Sequence, residues 1–241
     1  PGARVYFLPC VAGHVGADAA GVALAEGPQL REEVTLVVDV GTNAEIILGN
    51  KDRLLACSSP TGPALEGAQI SSGQRAAPGA IERVRIDPET LEPRFKVIGS
   101  DLWSNEAGFA EASKKIGVTG ICGSGIIEVL AEMFLAGLIT EDGIIDGGTA
   151  SRTDRILGEG RTFSYILHRG EPEIRVTQAD VRAIQLAKGA LYAGAQLLID
   201  KLGKPVERIV LAGAFGSHID AKYAMVLGLI PDCPLDMVAS V

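Results

Sequence analysis

At 241 residues with 47% hydrophobic content, the chain can build a packed core as one large domain or two small ones. A formal charge of −8 argues against nucleic acid or an anionic membrane surface as partner, since both call for basic patches. No apolar run approaches the roughly 18 residues of a membrane span, and no charged-then-apolar leader is present, so a soluble, cytoplasmic protein is expected.

Cys10, Cys57, Cys122 and Cys233 are scattered without a C-x-x-C pair and read as small buried hydrophobes in a reducing compartment. His14, His168 and His218 share no metal-binding spacing. The chain starts Pro1-Gly2 and stops in a short strand at 236–241; both ends read as cuts through a longer protein.

In chain order, Val5–Leu8 reads as a strand stopped by Pro9. Residues 11–26 read as a helix stopped by Gly27-Pro28. Gly13, Gly16 and Gly21 each cost that helix roughly 1 kcal/mol against Ala, which points to close approach by another helix or a ligand. Asp18 either caps the helix or faces a cleft.

Leu36–Val40, Ile46–Leu48 and Leu54–Cys57 are short β-prone runs bounded by Gly, Asn and Asp, which predicts a three-strand meander. Gly41-Thr42-Asn43 is then the first hairpin turn. Glycine permits close backbone approach, while Thr and Asn put a hydroxyl and an amide beside free N–H groups, so the turn suits a phosphate. Asp39 adds a carboxylate at the strand end, where a hydrated Mg²⁺ could bridge to that phosphate. The segment 58–67, SSPTGPALEG, clusters polar side chains where a strand ends, and makes Ser59 and Glu66 candidates for the rim of a site.

Ala80–Ile86 and Phe95–Ile98 read as strands joined by a solvated turn. Gly123-Ser124-Gly125 opens a helix over 126–138; it is either an anion seat or a tight strand-to-helix turn. Residues 140–160 read as a loop. The longest helix starts at Thr177, an N-cap with Asp180 three residues on, and ends at Gly203. Its Lys188 either snorkels to the surface or reaches a phosphate or substrate. Arg208–Leu211 is a buried strand running into Ala212-Gly213-Ala214-Phe215-Gly216, a small-residue turn opening a helix, and a last helix covers about 220–229.

A D-x-G-T hairpin followed far downstream by L-A-G-A-F-G resembles the two-part signature of the actin-like ATPases. More narrowly, the ordered segments LVVDVGTNAEIILG, SSPTGPALEG, VTGICGSGII and IVLAGAFGS closely resemble the C-terminal ATPase region of the reductive activators of corrinoid proteins. The resemblance covers almost the whole chain. It implies a ribonuclease-H-like, actin-like α/β fold with a mixed sheet, a core at about 34–72 and 207–241, and a large insertion at about 73–206.

It further implies ATP binding and hydrolysis coupled to one-electron reduction of the corrinoid cofactor of a partner protein in a methyltransferase system. Asp39 would hold Mg²⁺ through water and serve catalysis, while Gly41, Thr42 and Asn43 would hold phosphates. Gly123 and Ser124 would offer a further seat, and Gly213, Ala214 and Gly216 would lie near the adenosine. The iron–sulfur cluster of such activators is expected outside this chain. Only one phosphate hairpin is present, so the chain resembles half of the engine and by itself is expected to hydrolyse no ATP. Apolar residues left exposed near the N-terminal helix would favour a homodimer. A small-molecule kinase of the same superfamily and a non-catalytic actin-like scaffold are the competing readings.

Overall fold

The computed structural model describes residues 2–241, the side chains of Ala214 and Phe215 excepted. The meander forms as β1 (Thr35–Val40), β2 (Ala44–Gly49) and β3 (Leu54–Ser59), antiparallel throughout. Gly49, at φ +147°, makes the second turn possible, since a Cβ there would overlap the carbonyl of Arg53. The distant strand β10 (Arg208–Ala212) lies parallel to β1 in the register Thr35↔Arg208 to Asp39↔Ala212. A final strand, β11 (Val238–Ser240), pairs parallel with β10 and completes a mixed sheet of order β11-β10-β1-β2-β3.

Alternation along these strands gives the sheet two apolar faces. Val37, Ile47, Val210 and Ala212 point to helix α1 (Ala17–Glu26) and its Ala19. Leu36, Val38, Ile46 and Leu48 point to the long helix α4 (Gln178–Leu202), which packs on β2 and β3. The closeness of α4 rests on Gly194, where an added Cβ would overlap Ser59 Oγ and lie 2.8 Å from Ile46 Cδ1. Thr177 and Asp180 form the expected reciprocal capping box, and Asp180 Oδ1 also accepts from Ser71 N at 2.7 Å.

Between β3 and α4 in sequence the chain builds two small sheets. In the first, β4 (Ala80–Ile86) pairs antiparallel with β5 (Pro93–Val97) and parallel, at its start only, with β6 (Gly120–Ile121). Helix α3 (Gly123–Leu135) lies against β4, and Gly125 allows the contact because a Cβ there would overlap the Ile81 carbonyl. Where β6 runs out, side chains of α3 replace the missing strand. Glu128 accepts from Val84 N at 2.9 Å and Glu132 from Ile86 N at 2.8 Å. Glu128 is 1% exposed, and Arg83 and Arg85 pair with it at 2.8 and 2.6 Å. Buried carboxylates tolerate such a position only when fully bonded, and this one is.

The second small sheet corrects the reading of 140–160 as a loop. It contains β7 (Ile156–Glu159), paired with β8 (Thr162–His168), which pairs with β9 (Ile174–Thr177) leading directly into α4. Gly158 and Glu159 in β7 hide its pattern, because only Ile156 is buried.

Three further expectations change. Val5–Leu8 is not a strand; among the described residues nothing pairs with it, and Val5, Tyr6 and Phe7 are exposed. The first helix starts at Ala17, because Val11–Val15 forms a bridged turn with Gly16 as N-cap. The last predicted helix is shorter, α6 (Ala221–Val226), and the turn before it holds one helical turn, α5 (Gly213–Gly216).

Candidate functional site

Asp39, the next-to-last residue of β1, pairs with Ala212 at the end of β10, and this parallel register decides the site. The residue after Ala212 is Gly213, at φ +88°. A Cβ on Gly213 would overlap Asp39 Oδ1 and lie 3.4 Å from its Cγ. The two sequence signatures, 174 positions apart, thus meet as one junction of a carboxylate on a bare backbone.

The hairpin turn beyond Asp39 is held from the side of its carbonyls. Thr61 Oγ1 donates to Gly41 O at 2.9 Å and lies 3.1 Å from Thr42 O, and Gly62 N donates to Thr42 O at 2.8 Å. Thr42 Oγ1 donates to Glu66 Oε1 at 2.6 Å, a charge-assisted bond linking the turn to the SSPTGPALEG segment. Gly41 N is taken by Asn43 O at 3.1 Å. Among the described residues the amides of Thr42 and Asn43 have no partner, and both residues are exposed. The turn is therefore stiff, with two donors directed outward.

Two further carboxylates stand with Asp39: Glu45, which the sequence reading did not assign to the site, and Asp18, for which it left the cleft open as an alternative to capping. Glu45 is its cross-strand neighbour, and Asp18 reaches in from the first turn of α1. Burial and the Asp18 charge push the Asp39 carboxyl above the usual range. Burial also pushes Glu45 up, the hydrogen bond from Ser58 at 3.0 Å opposes it, and the Asp18 and Asp39 charges add to the rise. Asp18 Oδ1 accepts from Ala19 N at 2.8 Å but does not cap the helix end. Gly16, Asp18, Asn43, Glu45 and Ser58 line a depression of about 570 Å³. No group of three or more His, Cys, Asp or Glu is set to hold a bare metal ion among the described residues.

Glu66 also lines a second cavity of about 550 Å³, together with Arg75, Gly123, Ser124 and His218 and an apolar wall that includes Pro78. Ser124 is buried, its hydroxyl 3.3 Å from Cys122 Sγ. Gly123 and Ser124 thus reach the cavity from the start of α3, while Gly125 serves packing.

Other expected residues lie elsewhere. Ser59 is a correction: it is 4% exposed and faces α4 under Gly194, because it is one residue out of phase with Ser58 on β3. Lys188 neither snorkels nor reaches the turn; its Nζ donates to Leu227 O at 2.7 Å beyond α6. Gly216 is buried, and a Cβ there would press on Leu211 at 3.2 Å. The expectation for the Ala214 side chain falls outside the described residues. Glu45 and His218 were missed. The first was accessible from the hairpin count alone, since a turn at 41–43 pairs residue 39 with 45.

This arrangement agrees with what the chain is similar to. The family model described as the C-terminal domain of RACo, the ASKHA domain, matches residues 33–241. The corrinoid activation enzyme RamQ of Eubacterium limosum is 37% identical over 244 residues, covering 96% of this chain and 38% of that protein. The [Co(II) methylated amine-specific corrinoid protein] reductase of Methanosarcina barkeri is 33% identical over 238 residues, covering 95% of this chain and 40% of that protein. A solved reductive activator for corrinoid, iron-sulfur protein superposes with a TM-score of 0.83 at 34% identity, covering 98% of this chain and 36% of that one. The chain spans well under half the length of these proteins. With the mixed sheet, the hairpin and the Asp39–Gly213 junction, the match leaves one conclusion: the chain belongs to the family of C-terminal ASKHA domains of RACo, an actin-like ATPase fold.

Proposed function

We propose that the chain is the ATP-binding part of an activator that drives one electron onto the corrinoid cofactor of a partner protein in a methyltransferase system. The observation that carries this reading is the meeting of Asp39, Gly213 and the outward amides of Thr42 and Asn43 at one strand end. Phosphates would bind the two amides and the Thr42 hydroxyl. The nucleoside end would occupy the cavity bounded by Glu66, Gly123, Ser124 and His218.

Asp39 would hold a hydrated Mg²⁺, with Asp18 and Glu45 in its outer sphere. The closeness of these carboxylates supports this: burial raises Asp39 and Glu45 most, their neighbours' charges add to the rise, and a cation would relieve that added repulsion. When bound, Mg²⁺ would neutralise phosphate charge.

The names of the two relatives support the corrinoid step. Its electron would come from an iron–sulfur cluster outside this chain. Each roughly 59 mV of unfavourable potential costs tenfold in a one-electron equilibrium, a gap that nucleotide-driven partner binding can offset. In the intact protein, Asp39→Asn should leave the circular dichroism spectrum unchanged and abolish Mg²⁺-dependent ATP turnover. Turnover at the wild-type rate in that variant removes Asp39, and with it this reading of the junction.

A further inference from the structure

The β4–β5 hairpin carries a charge arrangement that the fold does not call for. Its register places Arg83 opposite Lys96 and Arg85 opposite Arg94, two like-charge pairs directly across a two-strand ladder. Such pairs destabilise a sheet. Trp103, in the loop after β5, stands in their midst. Arg85, Arg94 and Lys96 lie 5.7, 5.1 and 5.3 Å from its ring centroid, and Arg85 also lies 4.9 Å from that of Tyr223. The loop is fixed by Ser104, whose N–H donates to Phe95 O at 2.8 Å and whose hydroxyl accepts from Phe95 N at 3.0 Å.

Nearby carboxylates form no ion pair with Arg94 or Lys96 among the described residues. Glu128 serves Arg83 and Arg85 together, and Glu92 is taken by Arg155 at 2.7 Å. Glu132 accepts from Ile86 N and Tyr223 Oη, and Glu106 from Trp103 N. Asp87 bonds the N–H groups of its own turn, although the Arg94 charge is felt there. Glu82 and Asp220 act on Arg83 at the far end. Arg94 is exposed, and neither its side chain nor that of Lys96 has an ion pair or hydrogen bond among the described residues.

We propose that this face, Arg85, Arg94 and Lys96 around Trp103, docks an acidic surface of a protein partner, which on the functional reading above is the corrinoid protein. Two cations left without an ion pair on a chain of net charge −8 select a discrete cluster of carboxylates at short range, while the overall charge repels a long polyanion such as nucleic acid. Three cations around one flat ring also give a rigid contact at small entropic cost, the usual character of an interface centre.

Trp103 is the chain's single tryptophan, so its fluorescence reports on the face directly. A decapeptide of alternating Glu and Asp should shift that emission, with an affinity that falls as salt is raised. The double variant Arg94→Glu/Lys96→Glu should weaken binding at least about tenfold and flatten the salt dependence. An unmoved emission, an equal response in the double variant, or tighter binding of a single-stranded oligonucleotide of equal charge each overturns the proposal. In the intact activator the same variant should keep wild-type ATP turnover but lose affinity for its corrinoid protein. Unchanged affinity there overturns the corrinoid protein as occupant. Wild-type ATP turnover, which these substitutions leave alone, tests the functional reading separately.

Discussion

Replacing Gly213 with Ala perturbs the junction at its tightest point. The methyl group would overlap Asp39 Oδ1 and lie 3.4 Å from Asp39 Cγ and 3.9 Å from Val40 O, on a residue held at φ +88°. Two costs arise. A non-glycine residue in that region loses roughly 1–2 kcal/mol, and forcing the carboxylate aside adds overpacking of roughly 1–3 kcal/mol. Together they come to about 3 kcal/mol, a fall in Tm of about 6–12 °C for a domain of this size. Urea unfolding of Gly213→Ala, Asp39→Ala and the double variant separates the two costs. The backbone cost survives in the Asp39→Ala background and the steric cost does not, so a coupling of at least about 1 kcal/mol is expected. Effects that add to within about 0.5 kcal/mol would show that the two residues do not press on each other, and the meeting of the two signatures would lose its physical basis.

Other perturbations follow from the same packing. Gly194→Ala should destabilise by about 1–2 kcal/mol, since overlap with Ser59 and contact with Ile46 outweigh the helix propensity gained. Gly189→Ala on the same helix, with open space around it, should stabilise by about 0.5–1 kcal/mol; equal thermal shifts in the two variants would refute the packing argument. Glu128→Ala should cost about 2–4 kcal/mol in urea unfolding. It orphans Val84 N and two arginines, whose roughly one-third exposure places the loss below that of a fully buried pair. The raised carboxyls of Asp39 and Glu45 bind protons more tightly in the folded state than in the unfolded chain. Their contribution to stability is therefore fully present below the ordinary carboxylate range and is lost as pH rises through the folded values. Asp39→Asn should flatten that decline in Tm across the mildly acidic range, and an identical pH profile in the variant would contradict the burial and repulsion assigned to Asp39.

The parts of this protein legible in its sequence are those where one local rule decides. Residues 35–59 read as a meander because apolar runs are separated by turns that only Gly, Asn and Asp fill well, and β1 to β3 form there. Thr177 and Asp180 read as a helix start because a capping box is complete within four residues. The reading failed where a distant partner decides. Val5–Leu8 has strand composition but pairs with no strand among the described residues, whereas β7 has poor composition and is a strand because β8 lies beside it. Ser58 and Ser59 show the same limit at the site. They are adjacent in sequence, yet one bonds Glu45 in the acidic depression and the other is buried under α4. Knowing that β3 ends in polar residues does not say which of them faces the site; the phase is set by which strand face α4 covers. The Asp39–Gly213 junction is the strongest case. Either half alone is a common turn, and what makes them one site is the parallel register of β1 with β10, bonded across a gap that contains both small sheets and the whole of α4. A substitution that shifted that register by one residue would leave both motifs intact in sequence and turn the Asp39 carboxylate away from the bare backbone of Gly213, because side chains alternate faces along a strand.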